Sequence, residues 1–254
     1  MKLLTVVAVR PLTPRMVRVT FAGEGLDSFE TWPDQQLKLL FPKPGFSLPR
    51  LDFDDVMSWY QAYLAVPEAA RPWMRSFTVR SYDPSTATID VDFVLHGPSG
   101  PASRWAAAVS PGDVVGRYGP DRMYHKPLGS ADWYLLAGDE TAIPAIGSLL
   151  ESLSAPVQVF VSVVDEYEKQ DLGREVQWVP RGMLLSAVSS AIFPDGSVFA
   201  WLAGEAGEVR ELRRHLVGER GLAKQSIDFT GYWRRSLTQD DAPTEEDLAD
   251  IQDR

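Results

Sequence analysis

The stretch Trp133-Tyr134-Leu135-Leu136-Ala137-Gly138-Asp139-Glu140-Thr141-Ala142 decides the fold of the second half of this chain. Five apolar residues in succession read as a strand buried on both faces. A glycine breaks the run, and residues 143–153 continue with helical spacing. Outward from there, residues 157–164 and 198–203 form two more apolar strands. The second again leads through glycine, into an amphipathic, charge-rich helix over residues 209–219, and residues 226–229 supply a last strand. Strands alternating with helices predict a parallel sheet with helices on its faces.

The first half has a different rhythm. Residues 3–9, 16–21, 36–41, 75–82, 88–95 and 114–118 alternate or run apolar, with Pro11, Pro14, Gly23, Gly25 and the turn Pro111-Gly112-Asp113 between them. Six short strands so punctuated predict a small antiparallel β barrel. Trp59, Tyr60, Tyr63 and Leu64 have helical spacing, so residues 52–72 read as a loop carrying a helix over that barrel. The rhythm changes near residues 126–130. The expected division is a barrel over 1–128, an α/β domain over 129–238 and an acidic tail over 239–254.

Composition narrows the chemistry. The 254 residues are 44% apolar and 24% charged, ordinary for two globular domains. There is no cysteine, which excludes disulfides, thiolate zinc sites and cysteine-held iron–sulfur clusters. His96, His125 and His215 are scattered without metal-ligand spacing, so no metal site is expected, and electron transfer would need an organic cofactor. No run nears the roughly 18 apolar residues of a membrane span, and no stable membrane insertion is expected. The opening MKLLTVVAVR is broken by Thr5, lacks a cleavage site, and reads as a first strand. A cytoplasmic monomer is the expectation.

Net charge is −10, and from Gln239 onward seven acids face Arg254 alone, so the tail holds −6 and the body −4. A nucleic-acid partner is therefore not expected. The tail reads as a short solvated helix capped by Thr244, with acids in its first turn.

Two strand ends in the second half lead through glycine into helices, at Gly138-Asp139-Glu140-Thr141-Ala142 and at Gly204-Glu205-Ala206-Gly207. Glycine there lets a planar ligand or a pyrophosphate approach the backbone, and helix N-termini attract anions. Neither loop is GxGxxG, and Asp139-Glu140 would repel phosphate, so taken alone such loops are more often plain connections. In the first half, alternation along Arg75-Ser76-Phe77-Thr78-Val79-Arg80 places Arg75, Phe77 and Val79 on one face. The loop His96-Gly97-Pro98-Ser99-Gly100-Pro101-Ala102-Ser103-Arg104-Trp105 could hold a pyrophosphate on its N–H groups.

Taken together and in order, these four segments and the terminal Gly231-Tyr232-Trp233-Arg234-Arg235 resemble the siderophore-interacting protein family, the ferric-siderophore reductases related to vibriobactin-utilisation proteins. The resemblance runs from about Val6 to Arg235. It departs at Phe77, where the family usually has tyrosine, and at Ser236, where glycine commonly follows Trp-Arg-Arg.

What the resemblance implies is a six-stranded FAD-binding barrel followed by a Rossmann-like nicotinamide-binding domain, as in ferredoxin reductases. By motif, Arg75 and the turn Gly100, Pro101, Ala102 and Ser103 would bind the FAD pyrophosphate. Phe77 and Thr78 would contact the isoalloxazine and ribityl region, Ser76 would also bind FAD, and His96 and Gly97 would lie beside the flavin. Asp139, Glu140, Thr141, Ala142, Gly204, Glu205 and Ala206 would face NADH or NADPH. Lys38, Arg122 and Arg235 are the candidates for attracting an anionic ferric siderophore, with Lys126 and Arg234 as substitutes.

The expected activity passes hydride from nicotinamide to FAD and then single electrons to chelated Fe(III). A flavin oxidoreductase with a free flavin or other diffusible acceptor, and a non-catalytic siderophore-binding protein, are the alternatives. For the donor, Asp165-Glu166 at a strand end favours NADH, whereas Arg181 after the next strand could read a 2′-phosphate. The resemblance covers the Trp178-to-Arg181 segment and tips the reading towards NADPH.

Overall fold

A computed structural model describes residues 1–51, 56–96, 100–120, 125–235, 237 and 244–252. The chain divides into two units, Met1–His125 and Lys126–Arg254.

In the first unit, β1 (Lys2–Thr13), β2 (Met16–Gly23), β3 (Gln36–Phe41), β4 (Trp73–Thr78), β5 (Ser81–Asp83), β6 (Thr88–Val94) and β7 (Val114–Tyr118) form one barrel-like sheet. Its order is β4-β3-β7-β1-β2-β6-β5, and all of its pairings are antiparallel. Period-two alternation explains the core: Val19, Phe21, Leu39, Phe41, Val91, Phe93 and Val115 all point inward and are buried. The opposite face of β2 and β6 is polar, where Arg18 meets its cross-strand partner Asp92 through two hydrogen bonds of 2.7 and 2.8 Å. Such cross-strand pairs add up to about 1 kcal/mol each.

The expected count of six strands becomes seven. The single run read over residues 75–82 changes partners midway, pairing with β3 as β4 and with β6 as β5. Between them Val79 donates its N–H to Gln35 O and Arg80 to Asp90 O, so the chain crosses from one sheet edge to the other without losing hydrogen bonds. Helix α1 (Val56–Ala65) lies where helical spacing was read. Trp59 and Tyr63 pack with Leu40, Leu51, Met74 and Tyr118, so α1 covers the outer face of β3, β4 and β7. Helix α2 (Pro101–Ala108) packs against β3, β4 and β6, contributing Ala106 to the core and Trp105 to its edge.

The second unit holds β8 (Trp133–Asp139), α3 (Ile143–Ser152), β9 (Val157–Val163), β10 (Gln177–Pro180), α4 (Leu184–Ser190), β11 (Val198–Glu205), α5 (Ala206–Gly218), β12 (Ile227–Trp233) and α6 (Glu245–Gln252). The sheet order is β10-β9-β8-β11-β12, with every pairing parallel. Every residue of β8 is buried, as a central parallel strand covered on both faces requires. Val209, Leu212 and Leu216 form the buried stripe of α5. Fully burying each is worth about 1.5–3 kcal/mol. Among the described residues, no helix is long and apolar enough to cross a membrane.

Candidate functional site

In the first unit, the Arg75-to-Thr78 segment is β4 itself, at an edge of the sheet. Alternation turns Arg75 and Phe77 to the core side and leaves Ser76 exposed; Thr78 is buried. Arg75 is only 8% exposed, and its Nη1 donates to Met74 O. The Phe77 ring packs on Phe93 at 4.4 Å and on Phe41 at 6.1 Å, and is half-buried. Val79 is core although it lies beyond the strand end.

The adjoining α2 starts at Gly100, which has no side chain to cap it, and Pro101 fills the first helical position. First-turn N–H groups of such a helix are anion donors. The Ser103 hydroxyl accepts the His96 N–H at 3.0 Å and closes the loop between them; His96 is exposed, and Gly97 lies outside the described residues. Two cations missed in the sequence flank Trp73 at the start of β4: Arg104 at 5.6 Å and Lys43 at 5.8 Å from the ring centre. Among the described residues this donor set contains arginines, hydroxyls and helix N–H groups and no carboxylate, so it fits the diphosphate of FAD.

Arg117 was also missed. It pairs in register with Leu39, as Arg75 does, and is buried with its Nη1 on Gly119 O and its Nη2 on Glu24 O. Burial pulls its pKa down to about 10, partly offset by Glu24.

Of the basic candidates, Lys38 lies in β3 opposite Ser76 on one side and Tyr118 on the other. Its Nζ donates to Ser76 Oγ at 3.2 Å, and burial holds its pKa below the ordinary lysine value. Arg122 lies outside the described residues. Arg235 belongs to the second unit, is exposed, and donates its backbone N–H to Glu205 Oε1 at 3.3 Å.

In the second unit, the centre of the loop cluster is Asp139, 2% exposed at the end of β8. Its Oδ1 accepts from the N–H and the hydroxyl of Thr141. Its Oδ2 accepts from Glu205 N–H at 2.9 Å and from Trp233 Nε1 at 2.7 Å. All four lone-pair directions are used, so the carboxylate ties β8, β11 and β12 together instead of facing a ligand.

The glycine reading also changes. A Cβ at Gly138 would lie 2.3 Å from Ala203 O and 2.5 Å from Ala142 Cβ. Gly204 has φ +144°, and a Cβ there would meet Asp139 Oδ2 at 2.8 Å. Both glycines are required by contacts within the chain. Ala142 and Ala206 are buried small residues of the same packing.

The N-terminus of α5, expected to attract an anion, is occupied by acids of the chain. Glu205 caps it, its Oε2 accepting the Glu208 N–H at 3.0 Å. The Glu208 carboxyl is pushed above the ordinary glutamate value by burial, then by Asp139 and Glu205. At α3 the cap is Ala142, which offers no side chain.

Glu140 is buried at the turn after β8, and its Oε1 accepts from Arg181 Nη2, from just beyond β10. Thus Arg181, the candidate phosphate reader, is already paired. The tail helix is not merely solvated, as had been expected. Thr244 and Asp247 form reciprocal capping bonds, and Asp247 also binds Arg210 and Arg234, each at 2.7 Å. Among the described residues, no group of histidines and acids could hold a metal ion.

Comparison with known proteins follows the same division. The family described as siderophore-interacting FAD-binding domain matches residues 5–124, and that described as siderophore-interacting protein matches residues 131–236. The chain is 30% identical over 259 residues to the ferric vibriobactin reductase of Vibrio cholerae serotype O1, covering 94% of this chain and 91% of that one. The crystal structure of a siderophore utilization protein from T. fusca superposes with a TM-score of 0.76 at 34% identity, over 94% of both chains. A ferredoxin NADP+ reductase from Neisseria gonorrhoeae shares the fold, with a TM-score of 0.60 at 15% identity, over 91% of this chain and 98% of that one.

Proposed function

This chain belongs to the siderophore-interacting protein family, its first unit being the FAD-binding domain, and from that premise we propose that it is a ferric-siderophore reductase drawing electrons from a nicotinamide dinucleotide. The observation that carries the reading is the carboxylate-free set of Arg75, the uncapped start of α2, and Arg104 and Lys43 around Trp73.

Bound there, FAD supplies the chemistry that accepts a hydride and gives electrons one at a time. The protein's part is binding and positioning, and no general base is required. Arg75 and the α2 N–H groups neutralise the diphosphate. Phe77, half-buried against Phe93, offers an aromatic edge to the ring system, keeping stacking while lacking a tyrosine hydroxyl. Lys38, whose charge is penalised by burial, gains from an anionic chelate brought beside it. In the other unit, the Asp139 network fixes the Thr141 and Glu205 loops at the carboxyl ends of the parallel strands, the usual place for a dinucleotide.

The purified protein is expected to be yellow with a flavin spectrum. Reduced nicotinamide plus a ferric catecholate or hydroxamate chelate should then yield ferrous iron, trapped by a ferrous-specific dye. Colourless protein that cannot be reconstituted with FAD refutes the reading. Saturation by free flavin but by no chelate assigns a diffusible acceptor instead. Chelate binding without flavin reduction makes it a binding protein.

A further inference from the structure

Resting on the nicotinamide part of that reading, we infer that the β9–β10 edge of the second unit is an adenosine subsite selective for the unphosphorylated dinucleotide, NADH over NADPH. Tyr167, Asp165 and the Glu140–Arg181 pair are its working parts.

The sheet order β10-β9-β8-β11-β12 reverses direction between β8 and β11. In such sheets a dinucleotide lies across the carboxyl ends at that reversal, with its adenosine over the strand following the first helix. Here that strand is β9, and the chain leaving it carries three features. Asp165 is exposed, with Oδ1 on the Tyr167 N–H at 2.9 Å; its Oδ2 has no partner among the described residues and suits a ribose hydroxyl. Tyr167 is 72% exposed and so presents an aromatic face on which a planar group can stack. Arg181 stands at the end of the neighbouring β10, held by its N–H on Val163 O.

Arg181 by itself would argue for a 2′-phosphate, but its charge is already spent. Glu140, 6% exposed, lies under it, and the other carboxylate oxygen, Oε2, has no hydrogen-bond partner among the described residues. Arg181 is therefore the main balance to a buried negative charge. Drawing its guanidinium onto a phosphate would strand that carboxylate, a heavily penalised state. The side chain of Arg181 is 40% exposed, so the fork is visible from solvent but bound from behind. The neighbouring surface does not compensate: exposed Asp165 and Glu166 stand against Lys169. A phosphate dianion arriving here meets an acidic surface, whereas a ribose with free hydroxyls meets an acceptor.

The test measures binding of oxidised NAD+ and NADP+ to the FAD-loaded protein by calorimetry, so that turnover plays no part. The wild-type protein is expected to bind NAD+ at least about tenfold tighter, the scale of one good polar contact. Glu140→Gln removes the competing charge, so the Kd for NADP+ should fall about tenfold with little change for NAD+. Asp165→Asn, on an exposed loop where folding is not at stake, should weaken NAD+ about tenfold and NADP+ far less. Tyr167→Ala should weaken both equally, by loss of stacking. Equal or tighter wild-type binding of NADP+, or an Asp165→Asn variant with unchanged NAD+ affinity, overturns the subsite while leaving the reductase reading intact. If neither dinucleotide binds and neither reduces the flavin, the nicotinamide reading itself fails, and this inference with it.

Discussion

Asp139→Asn is the sharpest test of how the second unit is built, because the replacement is isosteric and opens no cavity. The aspartate accepts four hydrogen bonds, two on each oxygen, at a position 2% exposed. Asparagine keeps one oxygen and turns an NH2 group towards two donors. Either the Thr141 pair, or Glu205 N–H with Trp233 Nε1, is then left facing a donor. Two hydrogen bonds to a charged acceptor, at about 1.5–3 kcal/mol each, put the loss at about 3 kcal/mol or more. For a unit of about 130 residues, the unfolding entropy near Tm is about 0.27 kcal/mol/K, so Tm should fall by roughly 11 °C. Thermal unfolding followed by tryptophan fluorescence measures it, since Trp233 is itself a partner and Trp133 and Trp201 are buried in the same sheet. A shift below about 2 °C together with lost dinucleotide binding would make Asp139 a ligand contact and refute its role as the tie between strands.

Two further outcomes follow from the same loops. Gly138→Ala sets a methyl 2.3 Å from a backbone oxygen and 2.5 Å from Ala142 Cβ. Neither can swing away, so the urea midpoint should fall by the equivalent of about 1–3 kcal/mol with m unchanged; an unchanged midpoint would show that β8 and β11 can part at little cost. Glu208 has its pKa raised, chiefly by burial and then by Asp139 and Glu205. A carboxyl with a raised folded pKa favours the fold below its unfolded value, about 4.3, and costs stability as pH rises through the folded value. Glu208→Gln should therefore raise Tm at about pH 8 and change it little at about pH 4; a gain equal at both values would remove the electrostatic explanation.

Much of the architecture is written in local signals. Period-two alternation in residues 16–21 and 36–41, the unbroken apolar run in 133–137 and the valine-rich run in 157–164 mark strands without reference to anything distant, because burial on one face or on both leaves its pattern in neighbouring residues. The helix of Trp59 and Tyr63 and the Thr244 cap are visible for the same reason. Helix α4 was missed, since Leu184–Ser190 is a short turn of serine, valine and leucine with too few periods to read.

The tertiary structure alone decided what depends on partners far along the chain. The run at residues 75–82 splits because its hydrogen bonds go first to β3 and then to β6, a choice its own side chains do not encode. Asp139 becomes a tie because Glu205 and Trp233, 66 and 94 positions away, arrive at its second oxygen. Arg181 loses its freedom to Glu140, 41 positions earlier, and the acidic tail finds Arg210 and Arg234. Residue type and spacing announce which groups are charged or small. Whether a charge is free for a ligand depends on which distant groups already hold it, and only the fold brings those groups together.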